Sequence, residues 1–477
     1  MSWIIFWLAI YLVLILYFTL KHVKVGNLES YLVNDRKTRT FPLVATTLAT
    51  FVGGGTSMGL MAMGYKSGFA AVGIGVAYVI GFFILSKFAG QINSEGRKNK
   101  IYSFSQYLNN KYIGNDKDGY SKTLSSLLNG INIFIFFFLL AAQFVAMASL
   151  LKFAFKIGYI EAVVVSSIVV IIYTAFAGMA GVIITDLIQF IIIVLMILFI
   201  FIPGIWTDTE HFTRLLELPK EMLNGTSEGI AFLIAVPIFL SVSVLVRLDI
   251  WQRILAAKDE KTAKKVSIIS AFGMLPFYII FPLIGMTMKV VLDSPLDNSA
   301  DVAYQFLNRH SYAPVLGFAV VGLLAALMSS GDSFLNVISI SAIKDFAGRK
   351  KLKKVIDPKQ LHKSIRIISI FFGLAALGMA LLLPDVVDLM VVGLTSIAIF
   401  APVTILALTN KKDVKVYKKE ALYSLLTGFT INVAFFIWGT MSPEQFNNKS
   451  SFIPAFIISV LVLVFGVMIR NKKIKHL

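Results

Sequence analysis

The chain has 477 residues, of which 57% are hydrophobic, with a mean hydropathy of +0.81 and a formal net charge of +18. A soluble globular chain is only about 45–50% apolar, and a β-barrel alternates apolar and polar residues instead of forming long apolar runs, so both classes are excluded. The chain contains no cysteine, which excludes disulfides, thiol catalysis and cysteine-bound metal sites.

Thirteen apolar segments are predicted to cross a membrane as helices, because they have about the length that a membrane-spanning helix requires. No loop between them is long enough to form a separate soluble domain. The predicted fold class is therefore an all-α polytopic membrane protein. The spans are approximately 3–21, 41–65, 69–90, 123–153, 158–177, 180–205, 229–251, 266–291, 313–343, 365–384, 386–409, 421–440 and 452–470.

Lysine and arginine are concentrated in alternate loops, whereas the acid-rich loop 206–228 belongs to the other set. Cytoplasmic loops carry an excess of basic residues. We therefore predict a multi-pass plasma (inner) membrane protein with its N-terminus outside and its C-terminus in the cytoplasm, and we attribute the positive charge to these loops rather than to nucleic-acid binding. The predicted inner segments are 22–40, 91–122, 178–180, 252–265, 344–364, 410–420 and the tail from Arg470.

Two blocks of five spans, 41–205 and 229–409, have similar lengths. Because each block has an odd number of spans, the second block enters the membrane upside down relative to the first. This is the arrangement of secondary transporters built from inverted repeats. The rest of the chain is an N-terminal helix with an inner loop (1–40) and two C-terminal helices with a basic tail (410–477).

Gly53, Gly54 and Gly55 lie in the middle of the second span. Each glycine costs about 1 kcal/mol relative to alanine inside a helix, so three in succession predict a break. Non-helical backbone is tolerated at membrane depth where it is buried or lines a cavity. We predict that this helix unwinds to bind a ligand; close helix packing through small residues is the alternative.

The span 313–343 is unusually polar for a membrane helix, since it carries Ser329, Ser330, Asp332 and Ser333. Polar groups at this depth mark ion or substrate sites. Ser329 and Ser330 follow Ala326 by three and four residues, so the three share one helical face. Sodium prefers oxygen ligands, and we predict that this face supplies half of a sodium site. The alternative is that the two hydroxyls bond to carbonyls one turn earlier.

Four stretches together resemble the solute:sodium symporter family, which includes sodium-coupled sugar, proline, pantothenate, choline and sialic acid transporters. The resemblance covers essentially the whole chain. It implies a LeuT-like fold of five plus five inverted helices with one helix in front and two behind, and sodium-coupled import of a small organic solute by alternating access, not an enzyme. The four stretches are TLATFVGGGTSMG (47–59), GMAGVIITDLIQ (178–189), DIWQRILAAKDEKTAKK (249–265) and ALMSSGDSFLN (326–336).

The resemblance also implies a sodium site. In the family, two carbonyls three residues apart in the first core helix join one carbonyl and two hydroxyls of the eighth. The matching residues here are Ala49, Val52, Ala326, Ser329 and Ser330.

A second sodium is a further expectation, because some family members bind one with an aspartate of the fifth core helix. The candidates here are Asp186, Ser329 and Ser333, with Asp332 as an additional ligand. The alternative is a structural Asp186 that is capped by serine and threonine hydroxyls or forms an inner-gate salt bridge.

Arg247 is the main substrate candidate, because it lies within the sixth core helix, where the other basic residues are placed in loops or near helix ends. Its planar fork of donors suits a carboxylate, and Asp249 is close enough in sequence to neutralise it or to bind a substrate amine. A purely structural pair of Arg247 with Asp249 or Asp332 is the alternative. The other substrate candidates are Thr56, Ser57, Gln143, Asn132 and Tyr78.

The sequence therefore predicts a sodium-coupled symporter, acting as a monomer in the lipid bilayer, whose solute carries a carboxylate, such as an amino acid, a sialic acid or a monocarboxylate. Its sole cofactor is Na⁺, one ion or two. A proton-coupled transporter, or one for a neutral sugar or polyol, is the alternative within the same fold. A membrane sensor or a channel is a more distant one. Nucleic acid is not expected as a partner.

Overall fold

The computed structural model describes residues 2–22, 28–342, 358–410 and 413–475. Every regular element in these ranges is a helix. Most of the predicted inner loop 344–364 lies outside the described residues, as do Lys411 and Lys412. The helices are α1 (Ser2–His22), α2 (Leu28–Val33), α3 (Thr40–Phe51), α4 (Gly55–Ser67), α5 (Ala70–Lys98), α6 (Phe104–Tyr112), α7 (Gly119–Phe155), α8 (Tyr159–Phe176), α9 (Gly178–Asp208), α10 (Lys220–Leu223), α11 (Ile230–Val246), α12 (Leu248–Ala256), α13 (Glu260–Val291), α14 (Val302–His310), α15 (Ala313–Ser341), α16 (Pro358–Leu382), α17 (Val386–Thr409), α18 (Val414–Met441) and α19 (Phe452–Lys475).

Eleven of the described helices are long and apolar enough to cross a membrane alone, and two bent pairs, α3 with α4 and α11 with α12, add one span each. The thirteen spans follow the predicted ones in order along the chain, which confirms their predicted number. A helix satisfies its own backbone hydrogen bonds, so an apolar run of this length can enter lipid without exposing unpaired backbone groups.

The first bent pair confirms the predicted break at the glycines. The axes of α3 and α4 differ by 58°, and Gly53 and Gly54 lie between the two helices. A Cβ at Gly53 would lie 2.8 Å from Cβ of Ser330 and 2.9 Å from Oε1 of Gln143. Only glycine therefore allows the unwound backbone to approach α7 and α15 so closely.

The second break, at Arg247, has no such signal in the sequence. Here α11 and α12 differ in direction by 50°, and Arg247 between them is extended, with φ −74° and ψ 122°. The segment 252–256, which the sequence analysis assigned to an inner loop, is the buried end of α12. The second and the seventh of the described spans are thus both broken helices.

The helix α15 is deeply buried, since every residue from Ala319 to Ser341 is buried. It packs against α7, α8, α9 and α1. Where α1 meets the start of α15, the indole N–H of Trp7 donates to the carbonyl of Pro314 at 2.9 Å. A helix that is buried on all sides must satisfy its polar side chains within the protein, so the serines and the aspartate of α15 need partners on these neighbours.

The backbones of α4 and α13 touch at Gly64 and Gly285. A Cβ at Gly285 would lie 2.9 Å from the carbonyl carbon of Gly64, and a Cβ at Gly64 would lie 2.7 Å from Cα of Pro282. Small residues permit such contacts between membrane helices. The contact fixes α4, the second half of the first broken helix, against α13.

We expect Gly285→Val to destabilise the protein by about 1–3 kcal/mol, because the added methyl groups overpack a closed helix contact. Gly378→Ala on α16 is the matched control, since a Cβ there meets nothing within 4 Å. The measurement is the midpoint of thermal unfolding of the purified variants in detergent. Equal midpoints for both variants would show that the two helices separate easily.

Candidate ion and substrate site

The two helix breaks face one cavity of about 40 Å³ in the middle of the bundle. Drug-sized ligands occupy pockets of about 300–1,000 Å³, so an organic solute enters only after the surrounding helices move apart. Four of the predicted substrate residues line the cavity, and Tyr278, Ser330 and Phe51 line it as well. The four are Thr56, Tyr78, Gln143 and Arg247.

The first break is held open by hydrogen bonds to its freed backbone groups. The amide N–H of Gly54 donates to Oε1 of Gln143 at 2.8 Å. The carbonyl of Gly53 accepts from the amides of Thr56 and Ser57 at 2.9 and 2.8 Å, and from the Ser57 hydroxyl at 3.0 Å. The Ser57 hydroxyl therefore serves the break, and Gln143 has a structural role beside its place in the cavity wall.

We expect Gln143→Leu to lower stability by about 1–3 kcal/mol, because it leaves the buried Gly54 N–H without its acceptor. Gln143→Glu in its neutral, protonated form keeps an acceptor oxygen at the same distance from the backbone, and this variant is expected to retain most of the stability. Thermal unfolding of the two variants checks this. A leucine variant as stable as the parent protein would show that Gln143 does not support the break.

The second break is capped by Trp251, a residue that the sequence analysis did not single out. Its indole N–H donates to the carbonyl of Leu245 at 2.7 Å. The buried indole packs against Phe104 and Tyr107, with ring centroids 5.1 and 4.9 Å away. A lone tryptophan at the end of a predicted span was the signal that could have pointed to it.

Arg247 lies at the second break and pairs with Asp249. Its Nε and Nη2 donate to the two carboxylate oxygens of Asp249 at 3.0 and 2.7 Å, and its guanidinium stacks over Phe51, 4.1 Å from the ring centroid. Residues two apart cannot pair in a regular helix, and the extended backbone at the break makes the pair possible. The structural pairing that the sequence analysis left open is therefore present, while Arg247 still lines the cavity.

The part of the cavity wall next to Phe51 is aromatic as well. Tyr78 on α5 and Tyr278 on α13 lie edge to face, with centroids 5.3 Å apart. The Tyr278 hydroxyl is 2.9 Å from Oγ1 of Thr56, so it joins α13 to the start of α4. Tyr278 was missed by sequence reasoning, since a tyrosine in an apolar span carries no specific signal.

The predicted sodium residues are only partly brought together. The Ser330 hydroxyl donates to the carbonyl of Thr50 at 2.7 Å and to that of Ala326 at 3.4 Å, which places it at the end of α3. The carbonyl of Ala49 accepts from the amide of Val52 at 3.2 Å. The neighbouring Ser329 turns away and donates to Asp186 on α9.

Asp186 is fully buried and belongs to a second polar cluster. It accepts hydrogen bonds from the hydroxyls of Thr46 and Ser329 and pairs with Nη2 of Arg253 at 3.4 Å. Both alternatives for Asp186, the hydroxyl-capped carboxylate and the salt bridge, are thus present together. The prediction that Arg253 belongs to an inner loop was wrong, because it is buried on α12, and the need of Asp186 for a cation was the signal that could have located it.

Asp332 lies on α15 beside α8. Its Oδ2 accepts from the Tyr173 hydroxyl at 2.8 Å, and among the described residues its Oδ1 has no hydrogen-bond partner. Ser333 instead contacts the Thr50 hydroxyl at 3.1 Å and Arg253 at 2.9 Å. Asp332 therefore does not share ligands with the Ser330 site or pair with Arg247.

Three predicted substrate residues do not line the cavity: Ser57, whose hydroxyl serves the first break, Asn132 and Asp249. Asn132 donates to the Ser105 hydroxyl at 3.0 Å and to the carbonyl of Leu128 at 2.8 Å, which joins α7 to α6. Asp249 is directed at Arg247 rather than at the cavity. For Asn132, an ordinary interhelical contact accounts for the polar side chain.

The ends of the two broken helices on the Arg253 side are tied together. Arg97 donates through Nη2 to the carbonyls of Arg36 and Ala257, both at 2.6 Å. The amide of Thr38, just before α3, donates to the carbonyl of Ala256 at 3.2 Å. Backbone contacts that arginine side chains reinforce therefore hold these two helix ends together.

Comparison with known proteins agrees with this geometry. The sodium:solute symporter family matches residues 31–428. The chain is 23% identical to sodium/proline symporter 2 of Staphylococcus saprophyticus, over 95% of this chain and 92% of that protein. It is 24% identical to the sodium/proline symporter of Staphylococcus aureus, over 95% and 90%. A Na⁺-coupled sialic acid symporter, solved in a substrate-bound outward-open state, superposes with a TM-score of 0.78 at 20% identity, over 98% of this chain and 97% of that one, which confirms the predicted fold.

Proposed function

Because the chain belongs to the sodium:solute symporter family, whose members couple the transport of a small organic solute to sodium, we propose that its own solute carries a carboxylate that Arg247 binds. Sodium-coupled symport by this multi-pass membrane protein follows from the family. The similar sodium/proline symporters support a carboxylate in the solute, since proline carries one.

The observation that carries the proposal is the position of Arg247. Its guanidinium is in the wall of the cavity between the two breaks, buried and backed by the ring of Phe51. The N-terminus of α4 begins at the same cavity with Thr56, and the positive end of a helix favours an anionic group. Two independent features thus favour a negative charge at one place.

The pairing of Arg247 with Asp249 narrows the class of solute that the site is expected to bind. The pair is neutral and buried, so a bare carboxylate that joins it adds an unpaired charge to an apolar site. An α-amino acid carries an ammonium group together with its carboxylate, so its carboxylate can join Arg247 without adding net charge to the site. We therefore rank an amino acid ahead of a monocarboxylate or a sialic acid, and a neutral sugar or polyol last.

For the coupling ion we propose a sodium site at the end of α3, built from Ser330, Ala326, Ala49 and Val52. Ser330 also lines the solute cavity, so one side chain borders both ligands. Sodium bound there draws the end of α3 and α15 together and orders the wall that the solute meets. The two ligands then favour the same arrangement of helices, which is what coupling requires.

Alternating access follows from the closed cavity. We propose that the spans around the cavity rock apart first on one side of the membrane and then on the other. The contacts of Arg97 with Arg36 and Ala257 are those that break when the Arg253 side opens. By the distribution of basic residues this side faces the cytoplasm, with the N-terminus outside, in the plasma membrane. We further propose the repeat boundaries 41–205 and 229–409 and a monomeric transport unit.

Uptake into proteoliposomes tests the function. A thermal-shift screen in sodium, covering amino acids, sugars, sialic acids, vitamins and short carboxylates, first identifies the solute, because a ligand stabilises the folded state that binds it. Uptake of that solute is then measured with sodium outside and after replacement of sodium by potassium or choline. Accumulation is expected only with sodium; undiminished accumulation, driven instead by a proton gradient, would contradict sodium coupling. Thermal shifts with neutral sugars alone would contradict the proposal that the solute carries a carboxylate.

A further inference from the structure

The Arg253 side chain ends in a cluster of oxygen atoms. Its Nη2 is 2.5 Å from the Thr50 hydroxyl, 2.9 Å from that of Ser333 and 3.0 Å from that of Thr46. It is also 3.3 Å from the Thr46 carbonyl and 3.4 Å from Oδ2 of Asp186. All of these residues are buried. The oxygens come from three helices, α3, α9 and α15, and converge on one nitrogen atom.

The hydrogen bonds that Nη2 of Arg253 can donate do not explain why so many oxygen atoms surround it. The Nη2 group has two hydrogens, and five oxygen atoms surround it. Several oxygens around one positive centre, with one carboxylate among them, is the way a hard cation is coordinated. The guanidinium of Arg253 therefore occupies the oxygen cluster in the same way that a bound metal cation occupies its site.

We propose that Arg253 is a tethered cation that fills the place of a second sodium ion, so that this transporter binds one sodium per cycle. The inference rests on the sodium coupling proposed above. Asp186 and Ser333, two of the residues expected to bind a second sodium, contact Arg253. A free sodium placed beside the guanidinium would bring two positive charges together in an apolar interior, where charges repel strongly.

The anchoring of Arg253 makes it a permanent occupant of the closed state. Its Nη1 donates to the carbonyl of Asp249 at 2.9 Å, so the guanidinium is held from its own helix as well. In this arrangement the charge of Asp186 is compensated without an ion from solution. A buried carboxylate with no compensating cation is unstable in a membrane protein. Without the Arg253 side chain, Asp186 is therefore expected to bind a cation from solution.

The number of sodium ions bound per purified chain tests the proposal, with ²²Na⁺ as the probe and no solute required. The parent protein is expected to bind one ion. Arg253→Ala, which empties the oxygen cluster, is expected to bind two, and Arg253→Lys, which keeps a cation there, one. Ser333→Ala added to Arg253→Ala is expected to return the count to one, because it removes a ligand of the new site.

Two ions bound to the parent protein would overturn the proposal and leave sodium coupling intact. One ion bound to both Arg253→Ala and Arg253→Gln, with each variant monodisperse and folded, would overturn it as well. No sodium bound to the parent protein would overturn both the tethered cation and the proposed function. If neither variant folds, the count on the parent protein still decides, since one ion supports the proposal and two contradict it.

Discussion

Ser330→Ala is expected to raise the sodium concentration for half-maximal uptake about 10–100-fold, the equivalent of about 1.5–3 kcal/mol for a lost contact to a charged group. The Ser330 hydroxyl donates to the carbonyl of Thr50 at the end of α3, where we propose that sodium binds between the two helices. The maximal rate at saturating sodium is expected to fall less, because the removed contact serves sodium binding.

The matched control is Ser339→Ala. Ser339 lies on the same helix and is equally buried, but its hydroxyl donates to the carbonyl of Leu335 at 2.7 Å and contacts Ser369. Its loss is expected to leave the sodium dependence unchanged. Sodium activation curves of the two variants in proteoliposomes give the comparison. Equal curves for Ser330→Ala and the parent protein would place the sodium site elsewhere.

Arg247→Gln is expected to abolish solute binding and to destabilise the protein by about 3–5 kcal/mol, because it leaves Asp249 buried without its partner. Loss of uptake alone would not separate the two effects. The double variant Arg247→Gln with Asp249→Asn removes both charges, so it is expected to recover most of the thermal stability without recovering uptake.

The decisive measurement is the thermal shift that the identified solute causes in the double variant. With Arg247 as the carboxylate partner, a folded double variant shows no solute-dependent shift at concentrations that saturate the parent protein. A normal shift in the double variant would mean that Arg247 and Asp249 form only a structural pair. The solute would then bind to the remaining cavity residues, such as Tyr78, Tyr278 and Thr56.

Local properties of the chain explain why much of the fold was predictable. A membrane span is a matter of length and apolarity along one segment, so the thirteen spans could be found without knowing how they pack. The break at Gly53–Gly55 was equally local, since consecutive glycines weaken a helix wherever it lies. Gly178, whose φ of +59° turns the chain between α8 and α9, lies at the short loop 178–180 predicted between the fifth and sixth spans.

The break at Arg247 shows what such signals miss. No glycine or proline marks it, and the backbone is extended there because Trp251 caps the freed carbonyl of Leu245 and Asp249 engages the Arg247 side chain. These contacts depend on the packing of Trp251 against Phe104 and Tyr107, which are far away in sequence. A local sequence pattern cannot reveal contacts between segments that are distant in the chain, nor the stabilisation that these contacts provide.

The candidate site was likewise predictable only in part from the sequence. Residue types and helical spacing predicted a face of α15 that carries hydroxyl groups, and they showed that Arg247 was unusual for its depth. Only the tertiary structure shows that Ser330 contacts α3 while Ser329 contacts Asp186 on α9. It also shows that Arg253 lies on α12 instead of in the predicted loop, and that it pairs with Asp186. Neighbouring residues on a helix point about 100° apart, and which partner each one meets depends on where the surrounding helices lie.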